Sequence, residues 1–259
     1  MIYAFVDKRI PEGALATLSE LGFCPVLIEP VGSLLGLAVE SHTDLALFSH
    51  GGTAIAPREY LTENPKIRDA VYSAFPTVIE SDYTPGRNYP FDAIYNALVI
   101  GECLFARVES VCPDILAYAK REGLRVVNVR QGYPACLTLK VDNAAITSDE
   151  GLYRAFTSEG IRALLIGNSE IIKLAPYPYG FIGGASGAFG NTVYFIGELS
   201  SHPEYGRIRD FIESEGYSLA SLMPSSGELF DLGGIAFSPD ISTAPTMGKS
   251  TIPKNPKSE

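Results

Sequence analysis

The sequence predicts an α/β fold of five short ββαβ units, each running strand, strand, helix, strand. The last strand of the chain completes the first unit and closes the set into an α/β propeller. Three observations lead there. Strand-like apolar runs alternate with amphipathic helical runs from the first residues to about residue 238. Three of the helices end in Glu-Gly and pass at once into an apolar strand, in REGLRVVNV, SEGIRALLI and SEGYSLASL. Polar residues that introduce a strand, Asp44, Asn96, Asn143 and Asn191, recur at intervals of roughly 50 residues, as a repeated supersecondary unit would place them.

Taken in order, IYAFV (2–6) reads as a strand and PEGALATLSELG (11–22) as a helix. Leu15, Leu18 and Leu21 form the helix's apolar stripe, and FCPVLIEP (23–30) returns as a strand. The second unit is DLALFS (44–49), a strand, then the helix PKIRDAVYSAF (65–75) and the strand PTVIES (76–81). The third runs through YNALVIGECLFAR, SVCPDILAYAKREG and LRVVNV. The fourth is CLTLKVDNAAIT, SDEGLYRAFTSEG and IRALLIG, and the fifth NTVYFIGEL, HPEYGRIRDFIESEG and YSLASL. Gly123, Gly160 and Gly216 read as helix C-caps, since glycine accepts the left-handed backbone that ends a helix. Ser148 reads as the cap of the fourth helix, with Asp149 and Glu150 at its positive end. ELFDLGGIAFSP supplies a strand near 229–237 with no helix after it; pairing it with the first unit removes two exposed edges. Residues 1–238 therefore form one domain. The stretch 239–259, with four prolines, three lysines and little apolar period, reads as an extended or mobile tail able to contact a second copy in a homo-oligomer.

Charge narrows the function classes. Twenty Lys and Arg stand against 30 Asp and Glu, a net charge of -10, which opposes broad attraction to nucleic acid or to an anionic membrane surface. The N-terminus lacks the order of an export signal, and Glu40, His42 and Asp44 interrupt the longest apolar stretch, so a cytoplasmic location is expected. Cysteines 24, 103, 112 and 136 form no C-x-x-C pair and no metal-ligand spacing, and no nucleotide-binding glycine motif is present. The expectation is no cofactor and no metal.

The unit order, together with GYPACLTLKVDNAAITSDEG and GFIGGASG, resembles the pentein or guanidine-modifying-enzyme fold of arginine deiminases, dimethylarginine hydrolases and amidinotransferases. The resemblance covers roughly residues 1–238. It implies a nucleophilic cysteine near the last strand, a histidine acid/base, and carboxylates gripping a guanidinium. GELFDLGGIAFSP contains no cysteine, so the chain is expected to represent an uncharacterised bacterial branch lacking that nucleophile. His42-Thr43-Asp44 resembles the family's His-x-Asp element, in an earlier unit than expected.

Several residues are candidates for chemistry. On one strand His42 and Asp44 would point the same way. His50 precedes two glycines that permit a close turn beside its ring. Cys136, after the turn GYP, is either a small core residue or a thiol activated by His42 or His50. Asp82, Arg87, Asn88 and Asp92 crowd one turn-rich connection, where Arg87 can hold a carboxylate with two hydrogen bonds. Asn143 introduces a strand, and Ser186 lies in the loop GGASG. The functional expectation is a protein that binds a small polar metabolite in a central pocket through Asp44, Asp82, Arg87, Asp92, Asn143 and Ser186. Two alternatives stand beside it: a cysteine-dependent hydrolase of a small carbon–nitrogen compound using Cys136 with His42 or His50, and a structural or interaction protein.

Overall fold

In the computed structural model, which describes residues 1–31 and 36–240, apolar runs and Glu-Gly stops become short strands and helices in five similar units. The first holds β1 (Ile2–Asp7), α1 (Glu12–Glu20) and β2 (Phe23–Ile28). The second holds α2 (Thr43–Ala46), β3 (Phe48–His50), β4 (Thr53–Pro57), α3 (Arg58–Glu63), α4 (Pro65–Ala74) and β5 (Thr77–Ser81). The third holds β6 (Leu98–Ile100), β7 (Cys103–Ala106), α5 (Pro113–Arg121) and β8 (Arg125–Asn128). The fourth holds β9 (Thr138–Val141), β10 (Ala144–Thr147), α6 (Glu150–Ser158) and β11 (Arg162–Leu165), followed by β12 (Ile172–Lys173). The fifth holds β13 (Ser186–Phe189), β14 (Thr192–Phe195), α7 (Tyr205–Ser214) and β15 (Ser218–Ser221). The short strands β16 (Leu229–Phe230) and β17 (Ala236–Phe237) follow.

Each of units two to five opens with an antiparallel hairpin closed by two residues, as the pairs His50↔Thr53, Ile100↔Cys103, Val141↔Ala144 and Phe189↔Thr192 show. Its second strand then pairs parallel with a third after the helical crossover. Pro65 and Pro113 start their helices where a missing N–H costs nothing. Gly123, Gly160 and Gly216 end theirs with φ of 71°, 76° and 82°. The cap of α6 is Asp149 and not Ser148: its Oδ1 accepts the Leu152 N–H at 2.7 Å.

The expected closed propeller is not what forms. The strands lie in separate sheets, five of three strands and one of two, and none closes or curls on itself. β17 meets β1 through two residue pairs, Ala4↔Phe237 and Phe5↔Ala236, while β12 and β16 form the small sheet that the sequence did not announce. The physical reason is that neighbouring units share side chains, not hydrogen-bond ladders. Phe5 and Ile28 of the first unit pack with Ala54 and Leu61 of the second, Phe48 and Ile55 with Leu104 and Tyr118 of the third, and Phe105 with Phe156 of the fourth. Leu139 and Ile146 then pack with Val193 and Phe195, and Ala4 and Leu18 with Ile196 and Leu222.

Two local expectations also change. DLALFS is not one strand, because residues 43–46 take a helical turn before β3 begins. GGASG is not all loop, since Ser186 and Gly187 open β13. Among the described residues no helix is long and apolar enough to cross a membrane.

Candidate functional site

Strands β3, β6, β9, β13 and β17, one from each unit, line a central cavity of about 780 Å³. The residues just before these strands gather at its wall, as Thr43, Asp44 and Gly233 do, or directly behind it. His42, Thr43 and Asp44 come from the start of α2, Asn96 stands two residues before β6, Cys136 two before β9, and Gly184 two before β13. Asp231 and Gly233 lie between β16 and β17.

Side chains 95 residues apart meet there. The Cys136 thiol donates to Asp231, with Sγ 3.5 Å from Oδ1 and 3.6 Å from Oδ2. Asp231 also accepts the Phe181 N–H at 2.8 Å and the Gly233 N–H at 3.2 Å, so a carboxyl only 1 % exposed keeps its partners. A ring nitrogen of His42, the Cys136 sulfur and an Asp231 oxygen all lie within 4.8 Å of one another. His42 Nδ1 stands 4.0 Å from Asp44 Oδ1, and neither His42 Nε2 nor Asp44 Oδ1 has a hydrogen-bond partner among the described residues. Asn96 ties the wall together: its Nδ2 donates to Asp44 Oδ2 at 2.8 Å, and its Oδ1 accepts the Ala135 N–H at 2.8 Å.

The glycines explain how the backbone comes so close. A Cβ on Gly184 would overlap Asp231 Oδ1 and stand 2.8 Å from Cys136 Sγ. Gly233, at φ +70°, passes where a Cβ would stand 2.5 Å from His42 Cβ. GGASG and DLGG are thus backbone-thin covers over one cluster, cross-bonded by the Leu232 and Gly234 amides on the Gly184 carbonyl, 2.8 Å each.

Burial sets the charge states. It pushes the Cys136 thiol well above its ordinary range, and the charges of Asp231 and Asp44 push further. Burial, with the charge of Asp231, raises Asp44 to about 8, against the hydrogen bond from Asn96. Asp231 is raised mainly by burial, with His42 and two backbone N–H groups opposing. Burial lowers His42, against the attraction of Asp231 and of Asp7. At neutral pH the resting cluster therefore holds a neutral thiol and a neutral imidazole in an electronegative setting. Its nitrogen, sulfur and oxygen atoms are also a donor set that a zinc-like ion accepts, with His42, Cys136 and Asp231 as the ligands.

The other sequence candidates are spread out. His50 lines the same cavity but is held by Tyr118, Nδ1 to hydroxyl 2.6 Å, away from the cysteine cluster. Ser186 lines it too, and its hydroxyl donates to the Ile182 carbonyl at 2.7 Å. Asp92 accepts the Tyr133 hydroxyl. Asp82 is exposed and paired with Arg58 at 2.6 Å, Arg87 is exposed, and Asn143 sits exposed in the β9–β10 turn beside Asp142. The residue that sequence reasoning passed over is Asp231. Its one signal was an acid between apolar neighbours, one residue ahead of two glycines, in LFDLGG.

Solved structures place this architecture. The chain superposes on the inosamine-phosphate amidinotransferase of Streptomyces griseus with TM-score 0.52 and 12% identity, over 87% of this chain and 78% of that one. It superposes on an amidinotransferase of saxitoxin biosynthesis from Microseira wollei with TM-score 0.51 and 10% identity, over 81% and 72%. An arginine dihydrolase of the cyanobacterial ornithine–ammonia cycle gives 0.50 and 14%, over 88% of this chain but only 38% of the dihydrolase. The likeness is one of fold. The chain itself belongs to a family of unknown function, DUF6873, whose model matches residues 5–236. A sequence search of curated proteins finds no match.

The cluster corrects one expectation drawn from the missing C-terminal cysteine. The site has not lost its thiol; Cys136 brings it in from the fourth unit, beside His42 and Asp231.

Proposed function

We propose that the protein is a thiol-dependent hydrolase of a small compound in which carbon is bonded to nitrogen in a cationic amidine or guanidine group. The observation that carries this reading is the convergence of Cys136, His42 and Asp231 within 4.8 Å from three remote segments. Asp44, protonated at rest, ionises as the cation enters and joins Asp231 in holding it beside the sulfur. The bound cation offsets the burial and the neighbouring acids that keep the thiol protonated, so deprotonation of the thiol follows substrate entry. The Cys136 proton passes to the neutral His42, and the thiolate adds to the amidine carbon. The carbon–nitrogen bond to the leaving nitrogen breaks as His42 returns that proton to it, and ammonia or an amine departs. Water, deprotonated by His42, then adds to the carbon, and the carbon–sulfur bond breaks to restore the thiol.

One observation favours a second reading, a pocket that binds a small polar molecule without turning it over. Cys136 is only 5% exposed and lies behind the cavity wall of Asp44, Ala135 and Gly183. Incubation with a panel of simple amidines and guanidines separates the two. Hydrolysis predicts release of ammonia or amine and a mass adduct on the Cys136 peptide in a quenched reaction, both absent in Cys136→Ser. Binding that is saturable in calorimetry with no release and no adduct would leave the pocket reading standing alone.

A further inference from the structure

One buried polar side chain at the site belongs neither to the thiol nor to its acids. Asn96 stands two residues before β6, 2% exposed, between the core residues Tyr95 and Ala97. Its own N–H donates to the Ala93 carbonyl at 2.9 Å, so the turn that precedes it holds its backbone. From there the side-chain amide reaches two segments 52 and 39 residues away. Nδ2 donates to Asp44 Oδ2, and Oδ1 accepts the N–H of Ala135, the residue bonded to Cys136, each at 2.8 Å. The matching positions ahead of β9, β13 and β17 are Cys136 itself, Gly184 and Gly234, and none of these side chains can make such a pair of bonds.

The Ala135 N–H can only donate, and that fixes which way the amide lies: its oxygen must face Ala135 and its NH2 the Asp44 carboxyl. Turned over, it would set donor against donor and oxygen against oxygen, exchanging two bonds for two repulsions. Asp44 Oδ2 is therefore an acceptor. Oδ1, 4.0 Å from His42 Nδ1 and without a hydrogen-bond partner among the described residues, is the oxygen left for the cluster. We propose that Asn96 is a positioning residue. One amide from the third unit locks the Asp44 carboxyl in a single orientation beside His42 and, through the Ala135 peptide, fixes the backbone that carries the Cys136 thiol. Leucine at this place has a similar shape and bonds neither partner, whereas aspartate keeps the acceptor for Ala135 and loses the donor to Asp44.

The test compares those two substitutions by alkylation with iodoacetamide, read peptide by peptide in mass spectrometry. Cys103 and Cys112, buried as deeply as Cys136, serve as references for general loosening of the fold. In Asn96→Leu, Cys136 should react at least tenfold faster than in the native chain while the two references keep their native rates. In Asn96→Asp it should react no faster than in the native chain, because the Ala135 bond survives. Exchange of the Ala135 amide, followed by NMR, should quicken at least tenfold in Asn96→Leu and stay near the native rate in Asn96→Asp. Where Asn96→Leu does not fold, Asn96→Ser, too short to reach either partner, takes its place. The Asp44 half is read by urea unfolding of Asn96→Leu, Asp44→Ala and the double variant, whose unfolding constant should rise at least tenfold less than the product of the single effects. A Cys136 rate that rises only in step with Cys103 and Cys112, or that rises equally in Asn96→Asp, overturns the assignment, and so do additive losses in the cycle. Turnover of amidines should fall at least tenfold in Asn96→Leu even as alkylation rises, since a looser thiol is more open and worse aimed. A native chain that hydrolyses none of these compounds overturns the hydrolase reading, while alkylation, exchange and the cycle still decide the role of Asn96.

Discussion

Replacing Asp44 by Asn should make the protein less sensitive to alkali. The native carboxyl is raised from 3.8 to about 8, burial being the larger cause and Asp231 the next. Between those values the folded chain holds a proton that the unfolded chain releases, so Asp44 stabilises the fold below pH 4 and loses that contribution as pH rises through 8. A shift of that size corresponds to about 6 kcal/mol if fully retained, at about 1.4 kcal/mol per unit. The side chain is 13% exposed on the cavity side, where water screens part of the charge, so a loss of about 2 kcal/mol or more between pH 5 and pH 9 is expected. Asn keeps the acceptor for the Asn96 amide and cannot ionise. Urea unfolding of native and Asp44→Asn protein at pH 5, 7 and 9 reads the effect. The stability of the variant relative to the native chain should climb by that amount across the series. His42, with a lowered value, contributes the opposite slope below about pH 6.5, and Asp231 the same slope as Asp44; removing the Asp44 charge also relieves Asp231, which adds to the difference in the same direction. A difference that stays constant with pH within about 0.5 kcal/mol would refute the reading of Asp44 as a carboxyl held protonated by its site.

Two further outcomes follow from the same cluster. Iodoacetamide should modify Cys136 at pH 7 at least 100-fold more slowly in the native protein than in urea, and faster in Asp231→Asn, as peptide mass spectrometry would show; equal rates in native and variant protein would mean that Asp231 does not restrain the thiol. Gly184→Ala should cost roughly 3 kcal/mol, because its methyl enters the space of the Asp231 carboxylate and crowds Cys136; a loss under about 1 kcal/mol in urea unfolding would show that the cover over the cluster is loose.

Much of the unit order could be read from the sequence because it is written locally. An apolar run, a Glu-Gly stop and a two-residue turn each act within a few residues, and Gly123, Gly160 and Gly216 show the stop at work. The site is written across units and is legible only once they are aligned correctly. Asp44 and Asn96 do stand ahead of cavity-lining strands and touch each other, but Asn143 and Asn191, taken as their counterparts, lie in hairpin turns at the opposite end of theirs. Aligned instead on those turns, the positions two residues before β6, β9, β13 and β17 are Asn96, Cys136, Gly184 and Gly234. One of them is the thiol and two are glycines of the cover, with Asn96 bridging Asp44 to the Cys136 segment. Because the third, fourth and fifth units and the C-terminal segment bring that position together beside the cavity, a cysteine need not lie on the last strand to reach a histidine and an acid. The C-terminal segment contributes Asp231 where the family resemblance had led one to look for sulfur, and the fourth unit contributes the sulfur. A nucleophile sought by its place along the chain is missed here, whereas one sought by its place within the unit is found.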